Sequence, residues 1–240
     1  MINFGIIGIG NIAHRVAKGI LCSKKANLYA VASRNKDNAE QFQKQYGAEK
    51  AYGSYKELLE DAAVDAVYIC TPNSLHYGQI QLCLCCGKHV VCEKPMVANS
   101  EQVKELFAQA RKAGCFLMEA EKTMFTPLNV KLKEMIESGV IGKLRAIRAE
   151  YSYQVLEEVD EDHWVLDKNM GGSAYDIGVY PISFSHYFAN SKIENLIVKQ
   201  MDHPEYECDF GMQADICYEN GVYGFLQSNW FYTPKHKGSA

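Results

Sequence analysis

Two groups of residues in this sequence have types and spacings that suit chemistry. The first is Gly8-Ile9-Gly10-Asn11-Ile12-Ala13, a G-x-G-x-x-A run lying between an apolar stretch and a helical pattern. In that setting Gly8 permits a tight turn, Gly10 lets the backbone approach a pyrophosphate, and Ala13 is small enough for the helix to pack on the strand. The free N–H groups at the helix start, around Asn11 and Ile12, then hold the anion together with the positive end of the helix. The second is Asp176 and Tyr180, four apart and preceded by Gly171-Gly172. On a helix the two share one face. The two glycines are expected to let the backbone approach a ligand closely.

The end of the second apolar run decides between dinucleotides. An acid there binds a ribose 2′-hydroxyl, whereas this chain has Ser33-Arg34-Asn35-Lys36. A hydroxyl and a guanidinium suit a 2′-phosphate, which Arg grips with paired, charge-assisted bonds. NADP(H) is therefore favoured and NAD(H) left open, with Arg34 as a plain solvated residue the alternative. Two more signatures sit where apolar runs end, the place where ligands bind in open α/β sheets: Thr71-Pro72-Asn73-Ser74-Leu75-His76 and Glu93-Lys94-Pro95.

The elements that position these residues follow from periodicity. Apolar runs at 3–8, 28–33, 66–71, 89–92 and 115–119 alternate with helical patterns at 12–21, 36–46, 54–60, 75–86 and 100–113. Continuous apolar strands spaced by helices predict a parallel sheet covered on both faces. After about residue 120 the pattern changes. A helix from Pro127 to about Ser138 precedes an alternating strand, Leu144 to Tyr153, and a second helix covers Ala174 to about Phe188. Strands at 195–201, 212–218 and 222–230 close the chain, the last two joined by Asn220-Gly221, a two-residue hairpin signal that asks for positive φ at both positions. The fold class is thus α/β, with a Rossmann parallel sheet followed by an α+β domain whose sheet is open-faced and mainly antiparallel. Residues 1–120 are expected to form an NAD(P)-binding Rossmann domain and residues 121–240 a substrate and oligomerisation domain.

The 240 residues are 48% hydrophobic and 22% charged, a globular composition with no apolar stretch of transmembrane length. A formal charge of −4 gives no reason to expect nucleic acid or an anionic membrane as partner. The halves differ, with 14 basic against 11 acidic residues before position 121 and 11 against 18 after it, so a phosphate-bearing ligand belongs with the first half. Nine cysteines without a framework of spacings suit reduced thiols, and the start of the chain has no signal-peptide pattern; both point to the cytoplasm. The C-x-x-C at Cys83–Cys86 has no second ligand pair and is read as small residues packing a helix, with no metal site expected.

Taken together, Gly8–Ala13, Thr71–His76, Glu93-Lys94-Pro95 and the run Gly171-Gly172-Ser173-Ala174-Tyr175-Asp176-Ile177-Gly178-Val179-Tyr180-Pro181 closely resemble the Gfo/Idh/MocA oxidoreductase family. The tyrosine after Asp-x-Gly-x resembles the subgroup of dihydrodiol dehydrogenases and glucose–fructose oxidoreductase. The resemblance implies a hydride transfer between a nicotinamide and a sugar, polyol or related hydroxy or keto compound, in a site between the two domains. It also implies a homodimer or higher homo-oligomer formed through the open sheet face. Oxidising an alcohol needs a group to take the hydroxyl proton. A phenol with a pKa near 10 does this poorly at neutral pH unless an ammonium stabilises the phenolate. Lys94 is the candidate ammonium and a donor to the substrate oxygen, Tyr180 the acid/base and Asp176 its orienter. Thr71, Pro72, Asn73 and Glu93 go with the cofactor. His76 either touches the nicotinamide ribose or packs the loop, and His163 with Trp164 is a candidate wall for a sugar. The segment Asp162–Asp167 lacks the Arg that many members place before the double glycine. Relative to typical members the C-terminal part is expected to be incomplete, leaving the 222–230 strand as an unprotected edge. The alternative reading is a non-catalytic dinucleotide-binding regulator or an inactive shortened homologue.

Overall fold

In a computed structural model that describes residues 1–160 and 163–233, the apolar runs of the first half become one six-stranded sheet. Its elements in chain order are β1 (Ile2–Ile7), α1 (Asn11–Cys22), β2 (Ala26–Ala32), α2 (Lys36–Tyr46), β3 (Lys50–Tyr52), α3 (Tyr55–Glu60), β4 (Ala66–Ile69), α4 (His76–Cys85), β5 (His89–Cys92), α5 (Ser100–Ala113) and β6 (Leu117–Glu119). The strand order is β3-β2-β1-β4-β5-β6 with every pairing parallel. This is the doubly wound Rossmann order, which reverses direction beside β1 and opens a crevice between the ends of β1 and β4. The pleat sends alternate residues to opposite faces. Ile6 and Val31 pack with Ala13, Ala17 and Phe42 on one side, while Ile7, Ala30 and Ala32 pack with Leu58, Ile80 and Leu106 on the other. Burying each such aliphatic side chain is worth about 1.5–3 kcal/mol, so the sheet is fixed from both faces. The three-residue edge strand β3 escapes the sequence pattern because Lys50-Ala51-Tyr52 is too short and too polar to read as a strand.

Helix boundaries follow capping chemistry. Asn35, Ser54, Asn99 and Thr126 each accept a backbone N–H from the first turn of the helix they precede. Gly47 and Gly114 end α2 and α5 in the left-handed conformation.

The chain divides into two compact units, Met1–Ala120 and Glu121–Ala240. The second unit contains α6 (Pro127–Glu137), β7 (Ala146–Ser152), a π-helical turn (Ala174–Gly178), α7 (Val179–Ala189), β8 (Ile193–Asp202), β9 (Asp209–Tyr218) and β10 (Tyr223–Asn229). Its sheet runs β7-β10-β9-β8, antiparallel except for the parallel β7–β10 pair. Ile147, Ala149, Met212, Ala214, Ile216 and Leu226 pack with Phe188 and Ala189 of α7. The alternate residues Arg148, Gln213, Asp215 and Phe225 lie on the opposite, open face.

Three expectations for this half are corrected. The 222–230 strand is not an edge: β10 lies between β7 and β9, and the edges are β7 and β8. The hairpin at Asn220-Gly221 is not a two-residue turn with both φ positive. Only Gly221 is left-handed (φ 79°), with Gly221 N–H donating to Tyr218 O at 2.8 Å and Tyr218 N–H to Val222 O at 3.0 Å. This is a right-handed turn followed by a glycine bulge, which twists the strands equally well. The helix from Ala174 is also not α-helical throughout, since the wider π turn occupies its first five residues. Among the described residues no helix is long and apolar enough to cross a membrane.

Candidate active site

In the first unit the G-x-G-x-x-A run forms the turn from β1 into α1. Gly8 has φ +83°, and a Cβ there would stand 2.8 Å from the Thr71 methyl and 3.0 Å from Cys70 backbone. This glycine is required by the close passage of the β1 and β4 ends. Gly10 is different. A Cβ at Gly10 would meet nothing within 4 Å, so the space beside it is open. Gly10 is also the N-cap of α1, provides no side-chain cap, and is followed by no acid in the first turn. The helix start, with Asn11 exposed and Ile12 half-buried, thus leaves N–H donors and the positive helix end for an anion. Ala13 is fully buried against the sheet. These residues fit a dinucleotide pyrophosphate.

At the end of β2, Ser33 N–H donates to Tyr52 O at 3.2 Å, and Asn35 N–H donates to Ser33 Oγ at 3.3 Å. Arg34 is exposed, as a residue that grips a phosphate from solvent must be. At the end of β4, Thr71 Oγ1 donates to Gln79 Oε1 at 2.6 Å, Pro72 is exposed and Asn73 buried. His76 is 1% exposed, with Nδ1 2.9 Å from Pro95 O and Nε2 2.9 Å from Thr71 O. Both ring nitrogens therefore face backbone oxygens, and the single N–H of the neutral ring donates to one of them, a loop-packing arrangement between the Thr71 loop and the Lys94-Pro95 loop. Burial pushes the imidazole's pKa down, against an upward pull from those two carbonyls. Glu93 accepts from the Tyr68 hydroxyl at 2.9 Å and from Lys94 N–H at 3.4 Å. Burial, followed by the Glu93 charge, pushes the Tyr68 phenol far up, so Tyr68 is a fixed donor to this carboxylate. Lys94 is half-buried at the end of β5. Met96 N–H donates to Glu119 Oε1 at 2.7 Å, which holds the loop that follows Lys94 and Pro95.

In the second unit Asp176 stands in the π turn and Tyr180 in the first turn of α7. Asp176 Oδ2 accepts from the Tyr153 hydroxyl at 2.8 Å. The Tyr180 ring lies 5.2 Å from that of Tyr151, centroid to centroid. The Lys122 ammonium stands 5.0 Å from the Tyr180 ring centre and donates to its hydroxyl at 3.4 Å. Burial raises the Tyr180 pKa, Lys122 opposes the rise, and Glu121 and Asp176 add to it. Glu121 itself is 1% exposed. His163 accepts from Val165 N–H through Nδ1 and its ring is 5.6 Å from that of Trp164, whose indole is partly exposed. Asp162, in the same segment, lies outside the described residues.

The double glycine before Asp176 serves the chain rather than a ligand. A Cβ on Gly171 would stand 2.2 Å from Val165 O, and one on Gly172 (φ +101°) 2.1 Å from Asp209 Oδ1. Asp209 Oδ2 accepts from Ala174 N–H at 2.9 Å and so caps the π turn that carries Asp176.

The oxidoreductase family model described as having an NAD-binding Rossmann fold (GFO_IDH_MocA) matches residues 2–121, and the GFO/IDH/MocA C-terminal domain model matches residues 129–239. The chain belongs to this family. Relatives named trans-1,2-dihydrobenzene-1,2-diol dehydrogenase are 36% identical in Mus musculus, over 93% of this chain and 67% of the relative, and 35% identical in Homo sapiens, over 84% and 60%. The chain thus spans about 60 to 67% of the length of these relatives. Among solved structures, a 3-ketoreductase from Actinomadura kijaniata in complex with NADP and TDP-benzene superposes with a TM-score of 0.86 at 30% identity, covering 96% of this chain and 71% of that one. An NAD binding oxidoreductase from Klebsiella pneumoniae gives 0.86 at 28% identity, covering 98% and 68%.

Four residues around the family motifs went unread in the sequence. Tyr153 holds Asp176, Tyr151 flanks Tyr180, Asp209 caps the π turn, and Lys122 stands against the phenol. Tyr151 and Tyr153 were legible in principle as alternate residues of one strand. Nothing local marks Asp209 or Lys122, because each meets its partner only through tertiary structure.

Proposed function

We propose that this family member is an NAD(P)-dependent oxidoreductase that interconverts a CH–OH group and a carbonyl on a small diol, sugar or polyol. The observation that carries this reading is the setting of Tyr180: a half-buried phenol flanked by Tyr151, one turn from an Asp176 that Tyr153 orients. The bound nicotinamide supplies the hydride acceptor or donor. In oxidation Tyr180, ionised, takes the hydroxyl proton as the C–H bond gives up its electron pair; in reduction it returns that proton to the carbonyl oxygen. Asp176 keeps the phenol in register, and Lys94 donates to the reacting oxygen and stabilises charge there. Gly8, Gly10, Asn11, Ile12 and Ala13 hold the pyrophosphate, with Thr71, Pro72, Asn73 and Glu93 shaping the neighbouring strand ends. Arg34 and Ser33 favour a 2′-phosphate, hence NADP(H), in keeping with the NADP bound by the ketoreductase neighbour. Dihydrodiols are the first substrates to try, given the names of the relatives. Domain roles follow the two units, cofactor in the first and substrate in the second, and a cytoplasmic homo-oligomer formed through the open sheet face is part of the same proposal.

The test is a fluorescence titration with NADPH and with NADH, followed by turnover on a panel of trans-dihydrodiols, aldoses and cyclitols. Tighter NADPH binding and turnover of at least one class are expected. Tighter NADH binding overturns the cofactor choice, and binding without any turnover overturns the catalytic reading.

A further inference from the structure

The surroundings of the proposed acid/base within its own unit oppose its ionisation. Tyr180 sits in a half-buried place with two carboxylates near it, and burial and negative charge both disfavour a phenolate. Within the second unit, groups from several elements face it. Asp176 comes from the preceding turn and Glu121 from the segment before the short helical turn Lys122–Phe125; Tyr151 comes from β7 and is uncharged. Lys122 brings a cation to this group. Its Nζ donates to the Tyr180 hydroxyl at 3.4 Å and lies 5.0 Å from the ring centre, and among the described residues its contacts are with this phenol rather than with a carboxylate.

We propose that Lys122 is a positioning residue for Tyr180, its ammonium holding the phenol oxygen and stabilising the ionised form that accepts the substrate proton. Three observations carry this. Lys122 and Tyr180 belong to the same compact unit, so their geometry is internal to it. Lys122 opens a short helical turn whose cap is Glu121 Oε1, accepting Thr123 N–H at 2.8 Å, so the backbone that presents the ammonium is pinned. Finally, Glu121 is buried, its Oε2 has no hydrogen-bond partner among the described residues, and it opposes the phenolate of Tyr180. A neighbouring cation is the direct counterweight. The motifs of this chain assign no role to position 122, and the inference deepens the acid/base reading of Tyr180, on which it rests.

The test separates the two ideas. Tyrosines are labelled with 13C at Cζ, and the Tyr180 resonance is identified by its loss in Tyr180→Phe. The midpoint of its titration is then compared in the wild type, Lys122→Met and Lys122→Arg, alongside the pH profile of alcohol oxidation. Removing the cation is expected to raise the Tyr180 midpoint by about one pH unit or more, and Lys122→Arg to restore it to within a few tenths. The rising limb of the rate profile should move the same way. An unchanged midpoint in Lys122→Met overturns the role of Lys122, whatever happens to turnover. A midpoint that moves while the rate profile stays put leaves Lys122 as the phenol's partner and overturns the acid/base reading instead.

Discussion

A phenol serves as a base only where its surroundings tolerate the phenolate, and in the proposed reading two residues near Tyr180 divide that work: Asp176, which accepts from the Tyr153 hydroxyl, as orienter, and Lys122, which donates to the phenol, as the source of charge. Replacing Tyr180 by Phe should therefore lower kcat by about 10²–10⁴-fold, the usual span for losing a general acid or base. Cofactor affinity, read by NADPH fluorescence, should stay within a few-fold of the wild type. Tyr153→Phe is expected to act more mildly, lowering kcat about tenfold, because Asp176 keeps its place in the turn but loses the donor that fixes it. At the other site the buried His76 makes a pH prediction. Its pKa is depressed in the folded state, chiefly by burial. The unfolded chain thus binds a proton that the folded chain refuses, and stability falls as pH drops through the ordinary histidine value near 6.5. Above that value the group contributes no slope. Melting temperatures between about pH 7.5 and pH 5 should fall less steeply in His76→Asn than in the wild type.

At the scale of elements, the glycines of one motif fail for different reasons. Gly8→Ala forces a side chain into a left-handed conformation and against the Thr71 methyl, and should cost about 1–3 kcal/mol in chemical denaturation. Gly10→Ala meets open space, so its stability should be unchanged while NADPH affinity falls at least tenfold as the methyl takes up room the pyrophosphate needs. Equal loss of stability in both variants would contradict this division. The turn from β1 into α1 was legible in the sequence because its chemistry is local: a strand, two glycines, a small residue and a helix. The proposed roles of Lys94, Asp176 and Tyr180 likewise rest on motifs that run along the chain. The π turn was not legible, since Ala174–Gly178 has an ordinary helical composition and is shaped by Asp209, thirty-five positions away from Ala174. The purpose of Gly171-Gly172 was likewise hidden, because the atoms that crowd them come from Val165, Asp167 and Asp209.

At the scale of the molecule, the parallel sheet of the first unit was readable from apolar runs, because burial on both faces leaves no polar alternation to confuse them. Strand order in the second unit was not, since pairing depends on which edges meet. The edge strand β8 keeps Ile193, Leu196, Ile197 and Val198 about half exposed, and Phe225 adds an apolar side chain on the open face. If that face joins two copies, Phe225→Glu should shift the protein toward monomer in sedimentation velocity without altering NADPH binding. The parallel β7–β10 pair has a further consequence, one of timing. Ala146 pairs with Tyr223, 77 positions later, and β10 also supplies the partner for β9. A ribosome therefore finishes the whole first unit, and most of the second, before the strand that joins β7 to the rest emerges. The first unit should acquire protease resistance on nascent chains arrested near residue 160. The second should stay cleavable until β10 has cleared the exit tunnel, and then close in one step.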